Sequence, residues 1–182
     1  ITILCLRSNR IRAMLLAYAG AAGSWLAVNL PVYLASPDGW LNFWTFNSDR
    51  GADLGSLWYA LGLVDIQIEG VSRLVTALLV LGTIIICLIM VLAPRRPRLA
   101  QGAFLMVALF VMVNKVYSPQ YVLWLLPLLV LARPRWGDWV VFTIAETAYF
   151  AAVWGYLDGQ LANGAGQERL YVLAIVVRIG VQ

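Results

Sequence analysis

Leu74-Val75-Thr76-Ala77-Leu78-Leu79-Val80-Leu81-Gly82-Thr83-Ile84-Ile85-Ile86-Cys87-Leu88-Ile89-Met90-Val91-Leu92-Ala93 runs without a charged residue between Arg73 and Pro94-Arg95-Arg96-Pro97-Arg98. About 20 helical residues at 1.5 Å each cross the roughly 30 Å hydrocarbon core of a bilayer. A helix pairs every backbone N–H and C=O within its own segment, as lipid requires. The stretch therefore reads as a transmembrane helix.

The same reading extends outward to 13–34, 99–116, 121–132 and 139–157, with a sixth span cut short over 170–182. The expected architecture is an all-α polytopic transmembrane helix bundle, one membrane domain over 1–182, with about five full spans. Composition points the same way. Of 182 residues 62% are hydrophobic and 12% charged, against roughly 25% charged in a soluble domain. So apolar a chain neither stays disordered in water nor has the polar surface to cover a soluble core.

The chain has no His and two Cys, Cys5 and Cys87, far apart. Histidine bases, His-rich zinc sites and a CxxC redox motif drop out, and no metal or cofactor is expected. Both thiols read as small packing residues. No basic patch with interleaved aromatics occurs, so no nucleic-acid partner is expected. The oligomeric state leaves no signature. At the start, Arg7, Arg10 and Arg12 follow a short apolar stub, the reverse of a signal peptide, and residues 1–6 read as the tail of an earlier span. The expectation is a piece of a longer polytopic protein, inactive by itself.

The net charge of +4 matters by position. Arg7, Arg10 and Arg12, then Arg95, Arg96 and Arg98, then Arg133 and Arg135 fall on one side, with Asp138 the only acid there. Asp38, Asp49, Asp53, Asp65, Glu69, Asp158 and Glu168 fall on the other. Basic flanks stay cytoplasmic, so the Arg-rich turns face in and the long loop 35–69 faces out. Outer loops on rigid helices are where sites tend to sit.

Within that loop Trp40, Phe43 and Trp44 recur at helical spacing after Asp38, and Leu54, Leu57, Trp58 and Leu61 after Asp53. Two short interfacial helices fit this pattern, with the aromatics as a headgroup-level belt or as a platform for a lipid-linked substrate. Between them Asn47-Ser48-Asp49-Arg50-Gly51-Ala52-Asp53 forms a polar hinge. Asp49, Arg50 and Asp53 suit an acid–base pair or a sugar clamp, and equally a capped turn.

Segment 121–132 rises only about 18 Å as a helix. The preceding Asn114-Lys115-Val116-Tyr117-Ser118-Pro119-Gln120 is therefore expected to be partly sunk below the outer boundary, where irregular backbone is tolerated only inside protein or beside water. Lys115, the only lysine, either snorkels or neutralises an anion. Tyr117, Ser118 and Gln120 add hydrogen-bonding groups beside it. Glu146 and Arg178 lie inside spans at backbone heights differing by about 7 Å, so a structural ion pair is the favoured reading and catalysis the other.

Phe43-Trp44-Thr45-Phe46-Asn47-Ser48-Asp49-Arg50, Asp53-Leu54-Gly55-Ser56-Leu57-Trp58-Tyr59 and Asn114-Lys115-Val116-Tyr117-Ser118-Pro119-Gln120-Tyr121 through Pro127 resemble actinobacterial membrane proteins of glycosyltransferase family 87. Glu146 with Tyr149-Phe150 and Arg178 resemble that family's C-terminal spans. The resemblance implies a C-type glycosyltransferase of the bacterial plasma membrane. Such an enzyme moves a sugar, usually mannose, from a polyprenyl-phosphate donor to an envelope glycolipid or glycan outside the cytoplasm. It also implies a catalytic Asp in an earlier outer loop, so no catalytic base is assigned within these residues. Lys115 would then meet the donor phosphate. The competing classes are a polytopic transporter or lipid flippase subunit, for which no internal repeat is visible, and a non-catalytic assembly subunit.

Overall fold

Val75, Thr76, Val80, Thr83 and the Ile84-Ile85-Ile86 run are β-branched and would favour a strand in water. In an apolar surrounding the need to pair every backbone group outweighs that preference, and the segment is helical from Val71 to Leu92. The computed structural model describes residues 1–162 and 168–182. Among them every regular element is a helix, as the hydropathy pattern anticipates. In chain order these are α1 (Thr2–Arg7), α2 (Ile11–Ala35), α3 (Pro37–Asp49), α4 (Leu57–Leu63), α5 (Val71–Leu92), α6 (Leu99–Val113), α7 (Val122–Ala132), α8 (Trp136–Leu157) and α9 (Glu168–Val181). A 3₁₀ turn, Pro119–Tyr121, leads into α7. Helices α2, α5 and α8 are long and apolar enough to cross a membrane, while α6 and α7 are shorter apolar helices.

The chain divides into two compact units, one made of Ile1–Arg50 and Cys87–Leu99, the other of Gly51–Ile86 and Ala100–Gln182. In the first, α2 and α3 form a hairpin. Ser36 caps α3, its hydroxyl accepting from Gly39 N at 3.2 Å, with Pro37 at the first helical position. Asp38 therefore occupies the first turn, where its charge suits the helix dipole, and does not cap. The Trp40 indole donates to Asn29 Oδ1 at 3.0 Å and packs edge-on against Trp25 and Tyr33, while Phe43 and Trp44 stay exposed. Arg7 donates to the carbonyls of Met90 and Ala93 at 2.7 and 2.9 Å. It thus satisfies acceptors that the last turn of α5 leaves unpaired. Helices α2 and α3 bury none of their residues.

The second unit holds the core: Ala60 from α4, Ala108 and Val111 from α6, Leu125 and Leu129 from α7, Phe142, Tyr149 and Val153 from α8, Tyr171 and Ile175 from α9, and Tyr117 from the α6–α7 turn. Helices α8 and α9 pack most extensively, and α4 lies against α9. Trp58 on α4 donates to Val113 O at 2.9 Å, closing the C-terminal end of α6. Ser56 caps α4: its hydroxyl accepts from Tyr59 N at 3.1 Å and donates to Asp53 O at 2.7 Å. Asp53 thus anchors the cap through its carbonyl.

Caps of this kind contribute about 0.5–2 kcal/mol. Ser56 is buried and makes both bonds, so Ser56→Ala is expected near the top of that range and Ser36→Ala near the bottom. Denaturant titration in mixed micelles compares the two, and an equal effect would contradict the burial argument.

Candidate functional site

Two irregular segments meet in the second unit. Asp53 N donates to Lys115 O at 2.8 Å, and Tyr117 N donates to Leu54 O at 3.0 Å. The loop before α4 and the turn after α6 are thereby joined backbone to backbone, so Asp53 and Lys115 stand side by side although 62 positions separate them in the chain. The Lys115 side chain, 9% exposed, reaches Ser72 Oγ at the start of α5 at 3.1 Å. Lys115 N is held by Asn114 Oδ1 at 2.7 Å, and Leu54 N by Asp53 Oδ1 at 2.7 Å. The Lys115–Ser72 contact and the half-buried Asp53, joined to Lys115 through the backbone, thus lie where α4, α5 and α6 begin or end.

The other candidates divide. Ser118 is half-buried at the head of the 3₁₀ turn, its carbonyl accepting from Tyr121 N at 2.9 Å, and Gln120 is exposed. Tyr117 points the opposite way from Lys115. It is 1% exposed, and its hydroxyl donates to the Glu146 carboxylate at 2.9 and 3.0 Å. That hydroxyl also accepts from Gln182 Nε2 at 3.2 Å, within the core. The polar hinge is split between the units: Asp49, accepting from Ser48 Oγ at 3.0 Å, and Arg50, over the Phe46 ring, close α3 in the first, whereas Asp53 belongs to the second.

Glu146 and Arg178 are both buried, at 7% and 1% exposure, and they connect through intermediaries. Gln182 Nε2 donates to Glu146 Oε1 at 2.7 Å, and Gln182 Oε1 accepts from Arg178 Nη1 at 3.4 Å. The guanidinium carbon lies 3.4 Å from the centre of the Tyr117 ring, whose hydroxyl serves Glu146. The pair expected from depth arithmetic is thus relayed by Tyr117 and Gln182, with no direct contact between the charges. Arg178 Nη2 donates to Gly55 O at 2.9 Å, which ties this core network to the loop carrying Asp53.

Gly55 is required there. Its φ is +73°, and a Cβ would overlap the Tyr149 hydroxyl and the Tyr117 carbonyl. Its N–H donates to Tyr171 Oη at 2.9 Å, and Tyr149 Oη donates to Tyr117 O at 2.9 Å. Tyr149 and Tyr171 belong to a run of rings in successive contact, from Tyr59 through Tyr156, Tyr171, Tyr149 and Tyr117 to Tyr121. Sequence reasoning missed Tyr156 and Tyr171, and gave Gly55, Tyr59 and Tyr149 no role beyond the family resemblance. The available signal was Tyr149 and Tyr156 seven residues apart, on one face of a helix otherwise suited to lipid. Burial, then the hydrogen bond with Tyr156, pushes the Tyr59 phenol well above its usual range, so Tyr59 stays neutral at physiological pH. Among the described residues no group of His, Cys, Asp and Glu converges as a metal site.

The class defined by this arrangement is an integral membrane helix bundle with a polar site set where two irregular segments meet. Residues 9–157 match the mannosyltransferase (PIG-M) family, and the chain belongs to that family. It is therefore a membrane mannosyltransferase, acting on a sugar donor and an acceptor substrate in a lipid setting. The match agrees with the family 87 resemblance in the mannosyltransferase class, and the family it names is PIG-M. No curated protein and no solved structure matches the chain.

Gly55→Ala is expected to destabilise by about 1–3 kcal/mol through overpacking, with a further penalty of about 1 kcal/mol for the positive φ. Adding Tyr149→Phe should recover only part of the loss, because the Tyr117 carbonyl remains in the way. Thermal unfolding of the single and double variants measures this, and a silent Gly55→Ala would contradict the packing.

Proposed function

We propose that this chain belongs to a glycosyltransferase of the family 87 type. In this reading it transfers mannose from a polyprenyl-phosphate donor to an envelope glycolipid or glycan, on the extracytoplasmic side of a bacterial plasma membrane. The observation that carries the reading is Lys115: a buried cation reaching Ser72 at the head of a groove on α5. The groove, about 680 Å³, passes from Ser72, Arg73 and Thr76 to Ala77, Val80 and Ile84. Its polarity follows that of an amphiphile with an anionic head and a hydrocarbon tail. Lys115 and Arg73 supply charge for the phosphate, Ser72 and Thr76 hydroxyls, and the rest apolar surface for isoprene units.

In the transfer step the bond between the mannose anomeric carbon and the phosphate oxygen breaks. A new bond forms from that carbon to an acceptor hydroxyl oxygen, whose proton passes to a general base. Negative charge grows on the departing polyprenyl phosphate, and Lys115, held by Asn114 at its backbone, is pre-aimed to stabilise it. The base belongs to an outer loop outside these residues. Asp53 is the carboxylate beside Lys115, suited to orient sugar hydroxyls. The sidedness rests on the Arg-rich turns staying cytoplasmic.

Membranes carrying the full-length protein should move mannose from polyprenyl-phosphate-mannose to a lipid acceptor. Lys115→Ala should leave insertion intact and reduce transfer at least tenfold. Full transfer by that variant rejects the phosphate role, and lipid movement without mannose transfer supports the transporter or flippase reading instead.

A further inference from the structure

We infer that Arg178 is a positioning residue for the donor site. Its guanidinium holds the loop 53–56 against the turn 114–117 and so sets where Asp53 and Lys115 stand. The inference rests on the reading of Lys115 as the group that meets the donor phosphate.

Two backbone hydrogen bonds, Asp53 N to Lys115 O and Tyr117 N to Leu54 O, join the segments directly. So short a ladder between irregular segments does not fix their register unaided, as isolated two-stranded pairing is marginal. Arg178 touches both sides of the junction. Its Nη2 donates to Gly55 O at 2.9 Å on one segment, and its guanidinium carbon lies over the Tyr117 ring, 3.4 Å from the centre, on the other. The same helix reaches the same residue on its N–H side, where Gly55 N donates to Tyr171 Oη at 2.9 Å. Helix α9 thus grips Gly55 at N–H and C=O together, one residue beyond Leu54 and two beyond Asp53.

The chemistry needs a guanidinium. A planar fork can donate along its edge to a carbonyl while its face lies on an aromatic ring, and an ammonium cannot do both. Packing alone does not call for a charge, because well-fitting apolar side chains are often as good as a buried ion pair or better. Arg178 Nε makes no hydrogen bond, so the residue is not here to saturate its own donors. At 1% exposure it does not reach a ligand, and it acts through Gly55 and Tyr117. It lies outside residues 9–157, the part of the chain that matches the family.

The test uses the full-length protein in lipid nanodiscs, with amide hydrogen exchange read by peptide and donor kinetics read in parallel. Arg178→Lys keeps the charge that balances Glu146 but loses the fork. It should speed exchange at least tenfold in both 51–56 and 114–118, with α5 still protected, and raise KM for polyprenyl-phosphate-mannose at least tenfold with acceptor KM unchanged. A merely structural role would lower the active fraction, and so apparent kcat, at constant donor KM. If Arg178→Lys does not fold, Tyr171→Phe releases the Gly55 N–H without touching any charge and should give the same two changes, several-fold in size. Unchanged exchange in the two segments overturns the proposal, as does faster exchange with an unchanged donor KM. Should wild-type protein show no transfer from this donor, the proposed function fails, and the exchange measurement still judges the coupling by itself.

Discussion

A guanidinium that is 1% exposed inside an apolar helix bundle cannot shed its charge, so the fold around it is arranged to answer that charge. The answer has three parts: the Gly55 carbonyl, the faces of Tyr117 and Tyr149, and the Glu146 carboxylate reached through Tyr117 and Gln182. Removing one member of such a network strands the other, a loss of about 3–5 kcal/mol for a buried pair. The partners come from the loop before α4, the α6–α7 turn and α8, so meeting the requirement of Arg178 brings these three and α9 to one place.

The tyrosines extend that logic. A phenol packs as an apolar body and still carries one hydroxyl, which suits groups that must lie in a hydrophobic bundle while serving polar partners. Tyr149 serves the Tyr117 carbonyl, Tyr171 the Gly55 amide, and Tyr117 the Glu146 carboxylate. Irregular backbone within the bundle is thus paired with side chains, as it must be where water is scarce. Lys115, at the same backbone junction, turns its side chain to Ser72 on α5.

The helical framework was legible because hydropathy reports the environment a segment requires. The stretch read as 74–93 is helical over Val71–Leu92, and that read as 139–157 over Trp136–Leu157. Lys115, Glu146 and Arg178 were legible as anomalies for the same reason: charge inside an apolar run demands an explanation. Their partners were not. Gly55 and Arg178, or Asp53 and Lys115, meet only after folding, and no local pattern encodes a contact between residues so far apart. Lys115 and Tyr117 are two positions apart, where a regular strand would put them on one face, yet the bend at Asn114–Lys115 sends Lys115 to Ser72 and Tyr117 to Glu146, which no local pattern announces. Arg7, legible only as a basic flank, also serves the last carbonyls of α5.

Helices α6 and α7, joined by the turn that carries Lys115, have 15 and 11 residues. Their apolar lengths are about 22 and 17 Å against a hydrocarbon core of roughly 30 Å. Such hydrophobic mismatch is relieved by local thinning of the bilayer around the short segments. The headgroup layer then dips toward the turn that carries Lys115. On the proposed role of Lys115, membrane thickness becomes a determinant of how readily a lipid phosphate reaches it.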